Sequence, residues 1–372
     1  MRIILTGGIT GGHIYPALAI GDKFREKYPD CEILYVGNEH GMEKDIVPAH
    51  GFDLKLVKSR SVDRTNVLKL AETLWVTEYG KSQTYRIMKK FKPDIIVSTG
   101  SYVSVPVVLA AHKYGAKVFI HEQNAYPGMA NKYLAKYADT VFLGFRDAGR
   151  YFKNRKKLMY SGNPVRKEFY GRDRSEARKA LGIPENDFVI MVFGGSQGAE
   201  ALNDAAEALI RKYGDRPETT IIFGTGKRYY DRVRREMELQ GMKNRENVRV
   251  IPYITDMANA LAAADVAISR SGALSVAEIT MSGCPAIFIP SPNVTGDHQY
   301  YNAKAVVDCG GAIIVREDAD TPDRVVNVLK ELFSDPDLVS TMSEKSLACA
   351  PVNATDIIYK RIMERWTEDR QK

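Results

Sequence analysis

The 372-residue chain has no apolar run approaching the ~20 residues needed to cross a bilayer. Its longest candidate, VSVPVVLAA, is short and contains a proline, which excludes a spanning helix there. A basic region followed by a long apolar segment is also missing at the N-terminus, so no signal peptide is expected. Cysteine is scarce: Cys31, Cys284, Cys309 and Cys349 are scattered, with no metal-type spacing. They read as buried apolar fillers in a reducing cytoplasm. Zinc-finger spacing and RNA-recognition signatures are absent, and no nucleic-acid partner is expected. Charge of neither sign is lacking. Lys and Arg outnumber Asp and Glu by 53 to 46, an excess that favours anionic partners such as nucleotides, phospholipid surfaces or nucleic acid and by itself does not choose among them.

The chain opens MRIILTGGITGGHIYPALA. Ile3, Ile4 and Leu5 read as a buried strand, the glycines as a tight loop, and Pro16 as part of the first turn of a helix. Such a loop at a helix N-terminus suits phosphate. It is neither G-x-G-x-x-G, because Ile9 stands where glycine is needed, nor a P-loop, which ends in Gly-Lys-Ser/Thr. His13 closes the loop, as a functional group or as a cap.

Apolar runs then alternate with helical patterns: EILYVG, DIIVST, KVFIHE and TVFLGF, followed by FVIMVFG, TTIIFGTG, VRVIPYI, DVAISRSG, PAIFIP and AIIVRE. This alternation predicts parallel sheets covered on both faces. DFVIMVFGGSQGAEALN restarts the strand, glycine turn and helix of the first half. Two doubly wound α/β domains follow, with a join near SGNPVRKEF and ligands at the carboxyl ends of the strands. In ATDIIYKRIMERW, Ile357, Ile358, Ile362 and Trp366 have helical spacing, and this helix is expected to pack back across the join.

Six motifs in order, GGITGGHIYPALA, HEQNAYPGMANKYLA, GNPVR, GGSQGAEALN, SRSGALSVAEI and DHQYYNA, resemble the MurG family, undecaprenyl-diphospho-muramoylpentapeptide N-acetylglucosaminyltransferases of bacterial peptidoglycan synthesis. The resemblance covers nearly the whole chain. It implies a GT-B fold, two Rossmann-like domains facing a central cleft. Residues 1–163 would be the acceptor- and membrane-facing domain, joined by a C-terminal helix at about 353–372, and residues 164–352 the UDP-GlcNAc-binding domain. The implied reaction is inverting transfer of N-acetylglucosamine from UDP-GlcNAc to the C4 hydroxyl of lipid I, giving lipid II, with no cofactor and no metal. The implied place is the cytoplasmic face of the bacterial cell membrane, bound peripherally to an anionic surface.

The resemblance also assigns roles. Ala273, Leu274, Ser275, Val276 and Ala277 would admit the donor diphosphate to a helix N-terminus, and Glu278 would bind the ribose hydroxyls. The Ile254 backbone would read uracil. Arg166, Ser196 and Gln299 would contact the donor; an ordinary ion pair is the competing reading of Arg166. Thr10, Gly11 and Gly12 would lie near the donor sugar and diphosphate, and Asn124 would bind the GlcNAc unit. His13 or Glu122 would be the general base, and the sequence does not separate them.

Three positions depart from the family pattern, all in the first domain: Ile9, Ser101 and Val105 replace glycines. If isoleucine is tolerated, Ile9 is expected at negative φ. These departures keep open a different glycolipid acceptor, or a chain that binds UDP-sugar without transfer. Nucleotide-sugar epimerases share the fold, but their motifs do not fit. Between residues 64 and 94, Val67, Leu70, Ala71 and Leu74 share one helical face, with Leu68, Trp75 and Tyr79 beside it and Lys69, Lys81, Arg86, Lys89 and Lys90 adding charge. This helix either rests on a membrane surface or faces the core.

Overall fold

A computed structural model describes residues 1–62, 66–195, 197–242, 245–350 and 353–368. The chain divides into two compact units, Met1–Val165 with the C-terminal helix, and Arg166–Ala350.

In the first unit the elements run β1 (Arg2–Thr6), α1 (Gly11–Lys27), β2 (Glu32–Asn38), α2 (Glu43–Ala49), β3 (Asp53–Val57) and α3 (Val67–Phe91). They continue through β4 (Ile95–Ser98), α4 (Ser104–Tyr114), β5 (Lys117–Glu122), α5 (Met129–Leu134), β6 (Thr140–Leu143) and β7 (Leu158–Tyr160). The seven strands are parallel in the order β3-β2-β1-β4-β5-β6-β7. Strand order reverses between β1 and β4, which opens a crevice at their carboxyl ends. The edge strands β3 and β7 escape the sequence reading because they are half-exposed and lack a continuous apolar run.

Alternation along β1 feeds both faces of this sheet. Ile3 and Leu5 pack with Ile14, Ala17 and Leu18 of α1, whereas Ile4 joins Val107, Val108 and Ala111 of α4. The C-terminal helix, Ala354–Glu368, covers the α1 side. Its Ile358 and Ile362 are fully buried, Tyr359 meets Phe24 edge-on at 5.0 Å, and Lys23 reaches Asp356 at 3.2 Å.

The second unit runs α6 (Arg174–Leu181), β8 (Phe188–Phe193), α7 (Glu200–Tyr213), β9 (Thr219–Gly224), α8 (Tyr230–Leu239), β10 (Val248–Ile251) and α9 (Met257–Ala263). Then come β11 (Val266–Ser269), α10 (Ala273–Met281), β12 (Ala286–Phe288), α11 (His298–Val307), β13 (Ala312–Ile314), α12 (Thr321–Ser334) and α13 (Pro336–Ala348). Its six parallel strands lie in the order β10-β9-β8-β11-β12-β13. The order reverses between β8 and β11, so this sheet repeats the topology of the first.

The cysteine expectation needs correction. Cys284 is buried, but Cys309 is exposed and is joined to Cys349 by a disulfide, their Cα atoms 6.7 Å apart. Forty residues separate the two, and the folding of α11 and α13 onto neighbouring elements brings them together.

On α3, Thr73, Thr84 and Met88 are buried while Leu70, Leu74, Trp75 and Tyr79 are exposed. Toward its C-terminal end the core side carries Met88, with Tyr85, Ile87 and Phe91 packed against the core, whereas in its earlier turns the large apolar residues face outward. Val67 and Leu68 side chains lie outside the described residues. No helix among the described residues is long and apolar enough to cross a membrane.

Candidate active site

The loop after β1 carries the clearest departure from expectation. Ile9 has φ 73°, not a negative value. A β-branched residue in this region is strained by ~1–3 kcal/mol, so something must hold it. Its N–H donates to Glu43 Oε2 at 2.9 Å, and Glu43 Oε1 accepts from the Asn38 N–H at 2.7 Å. Glu43 has no exposed surface. A Cβ at Gly8, Gly37 or Gly41 would run into its side chain, so three glycines make room for one carboxylate that clamps the loop. Ser101, after β4, also has positive φ, 69°. Val105 lies inside α4, where φ is negative and glycine is not needed.

Thr10 is exposed and extended, φ −131°, just before α1. The helix ladder offers no acceptor to the first amides of α1, Gly11 and Gly12. One residue on, His13 sits over the β1/β4 crevice. Its Nδ1 lies 2.9 Å from the Thr99 carbonyl oxygen and 3.2 Å from Gln123 Oε1. A carbonyl only accepts, so Nδ1 carries the proton. Nε2 makes no hydrogen bond to any described residue.

Glu122 is differently placed. It is 1% exposed and is surrounded by donors: Asn124 N and Nδ2 to Oε1 at 2.9 and 3.3 Å, Gly128 N and Asn131 Nδ2 to Oε2 at 3.1 and 2.9 Å. It shapes the turn after β5 and orients Asn124.

In the second unit, α10 begins right after the turn that follows β11, with Gly272 as its extended N-cap. Ala273, Leu274 and Ser275 therefore point first-turn amides at the positive end of the helix; Val276 N–H already bonds Gly272 O at 2.9 Å. Ala273, Val276 and Ala277 are buried. The turn is tied to α11, because Ser271 Oγ donates to Gln299 O at 2.8 Å and Asn302 Nδ2 to Ser271 O at 3.1 Å. Gln299 Oε1 accepts from Ser291 N at 2.9 Å. Ile254, 5% exposed, lies in the segment between β10 and α9.

Glu278, in the second turn of α10, has its carboxyl pushed up to about 7 by burial, against the opposing pull of Arg166. Arg166 Nη2 lies 3.3 Å from Glu278 Oε1, and its Nη1 2.7 Å from Glu168. The structure thus brings Arg166 and Glu278 together within the second unit. Ser196 lies outside the described residues. No group of three metal-ligating side chains occurs among the described residues.

Residues 3–143 match the N-terminal domain and residues 189–358 the C-terminal domain of glycosyltransferase family 28. The chain belongs to glycosyltransferase family 28. Over 364 residues it is 37% identical to the UDP-N-acetylglucosamine–N-acetylmuramyl-(pentapeptide) pyrophosphoryl-undecaprenol N-acetylglucosamine transferase of Acetivibrio thermocellus, with 98% of each chain covered. It is 40% identical to the protein of the same name from Clostridioides difficile, covering 98% of this chain and 89% of that relative. The crystal structure of Acinetobacter baumannii MurG aligns with a TM-score of 0.77 at 28% identity, covering 98% and 99% of the two chains. The MurG resemblance and the pair of Rossmann-like domains are borne out, and the protein is a family 28 glycosyltransferase.

Three contributors to this candidate site are not signalled by the sequence alone. Glu43 clamps Ile9 from 34 residues away, and no spacing rule connects them. Thr99 and Gln123 hold the His13 ring; Gln123 lay in view between Glu122 and Asn124, and its strand-end position beside the crevice was the available signal.

Proposed function

We propose that this protein transfers N-acetylglucosamine from UDP-GlcNAc to the C4 hydroxyl of lipid I, with inversion, producing lipid II. The observation that carries the reading is His13, held at Nδ1 with Nε2 left as a lone pair at the first-unit crevice. In the proposed step Nε2 takes the C4 hydroxyl proton as that oxygen attacks the anomeric carbon. The bond from that carbon to the diphosphate oxygen breaks, and UDP departs with the electron pair. The first-turn amides of α10 and the Arg166 guanidinium stabilise the leaving diphosphate. Glu278 accepts the ribose hydroxyls, the Ile254 backbone reads uracil, Gln299 and Ser196 contact the donor, and Thr10, Gly11, Gly12 and Asn124 line the sugar side. Glu122 serves as the support of Asn124 rather than as base, because four donors already occupy its oxygens.

The exposed face of α3 is the proposed membrane contact. Trp75 stacks on Tyr79 with ring centres 5.6 Å apart, Leu70 and Leu74 flank them, and Lys69 and Lys81 supply positive charge toward an anionic surface. On this reading the protein binds peripherally to the cytoplasmic face of the cell membrane, where a lipid-linked acceptor is presented.

Strain at Ile9 and Ser101 favours a second reading in which the donor chemistry is the same and the acceptor is another glycolipid. The deciding experiment incubates purified protein with labelled UDP-GlcNAc and a short-chain lipid I analogue. Label transfer to the analogue supports the first reading. Transfer only to a different glycolipid supports the second, and donor binding without transfer to either overturns both.

A further inference from the structure

We infer that Gln123 and His121 are positioning residues that lock His13 in its Nδ1–H tautomer and keep the Nε2 lone pair for the acceptor hydroxyl. The inference rests on the proposed role of His13.

Gln123 Nε2 lies 3.1 Å from the His121 carbonyl oxygen, so this end of the amide is the donor and Oε1 is the end that faces His13. The same Nε2 lies 3.0 Å from His121 Nδ1, which must therefore accept. His121 Nε2 lies 3.0 Å from the Gly162 carbonyl oxygen and must donate. Three backbone carbonyls, of Thr99, His121 and Gly162, thus fix every proton from His121 through Gln123 to His13. Turning the Gln123 amide over would set its NH₂ against the His13 N–H and its oxygen against a carbonyl. Protonating His121 would set two donors face to face at Nδ1.

The frame is rigid as well as directional. His121 is fully buried and Gln123 is 1% exposed. Asn163 Nδ2 donates to Gln123 O at 3.0 Å, and Ser161 Oγ to Gly162 O at 2.8 Å. Burial lowers the His121 imidazole to about 4, so it remains neutral near pH 7. Two histidines share one network, and only one is available to exchange a proton with substrate.

Nitrogen-15 NMR of imidazole-labelled full-length protein reads the tautomer without turnover. Wild-type His13 is expected as Nδ1–H. In Gln123→Leu the His13 ring keeps only the Thr99 carbonyl as an Nδ1 acceptor, so the Nε2–H form should appear alongside Nδ1–H, and kcat should fall roughly 10–100-fold with little change in KM, as when an orienting partner is removed. Wild-type His13 in the Nε2–H form would overturn the inference, as would wild-type tautomer and kcat in Gln123→Leu. A normal rate in His13→Ala would instead remove the base itself, and the wild-type spectrum still decides the tautomer.

Discussion

The two units share one topology and solve the same local problem differently. In each, a first strand ends at a turn beside the point where strand order reverses. The turn after β8 places Gly195 and Gly198 at positive φ, and a Cβ on Gly198 would collide with the Thr225 carbonyl. The turn after β1 places Ile9 there instead, and Ser101 follows in the neighbouring turn. Where glycine supplies the conformation, the backbone needs no further support. Where isoleucine does, a buried carboxylate must hold it. The first unit therefore concentrates strain and fixed polar networks around one histidine, and the second presents a helix N-terminus lined by small residues. The proposed division of labour follows: proton transfer in the first unit, donor retention in the second.

The largest expected effect lies in the first unit. His13→Ala should lower turnover by ~10²–10⁴-fold, the usual worth of a general base. A near-normal rate, combined with collapse in Glu122→Gln, would move the base to Glu122 and break the contrast.

Next comes Glu278. Its replacement by alanine should weaken UDP-GlcNAc binding by ~1.5–3 kcal/mol, or roughly 10–150-fold, with the fold retained. Because its carboxyl titrates at about 7 and the ionised form binds hydroxyls better, donor affinity should be flat above that pH. Below it, affinity should fall by about tenfold per unit as the proton must be displaced. Glu278→Gln should abolish this dependence. Stability carries the opposite sign. The folded state holds this proton more tightly than the unfolded chain, so the stabilisation is fully present below about 4.5 and is lost as pH rises toward about 7. Calorimetric titrations across this range check both statements; affinity independent of pH would remove the Glu278 carboxylate from the site.

The smallest effect concerns Ile9. Ile9→Gly relieves strain of ~1–3 kcal/mol but adds freedom to the unfolded chain. The net gain should be about 1 kcal/mol, seen as a rise in Tm of ~2–4 °C. Donor affinity should stay unchanged. A large gain in turnover with the lipid I analogue would mean the native loop is tuned for another acceptor. A fall in Tm would mean that the clamp by Glu43 leaves no strain to relieve.

Much of the fold was legible because periodicity is local. Continuous apolar runs marked the central strands, while β3 and β7 at the sheet edges bury too little to carry that signal. Candidate site residues next to glycine turns, such as His13, Ser275 and Glu278, could be proposed from motif order. What could not be read depended on through-space partners. The sign of φ at Ile9 rests on Glu43, the orientation of His13 rests on Gln123, and the pairing of Cys309 with Cys349 rests on how two distant helices fold together. The outward apolar face of α3 was ambiguous for the same reason, since amphipathic spacing gives a face without saying what covers it.

The division of labour is tested most directly by titrating UDP-GlcNAc into the His13→Ala protein calorimetrically. The account predicts the Kd of the unmodified protein, because His13 acts on the acceptor proton and not on donor retention. A Kd weakened as far as that of Glu278→Ala would contradict it and place His13 in donor binding.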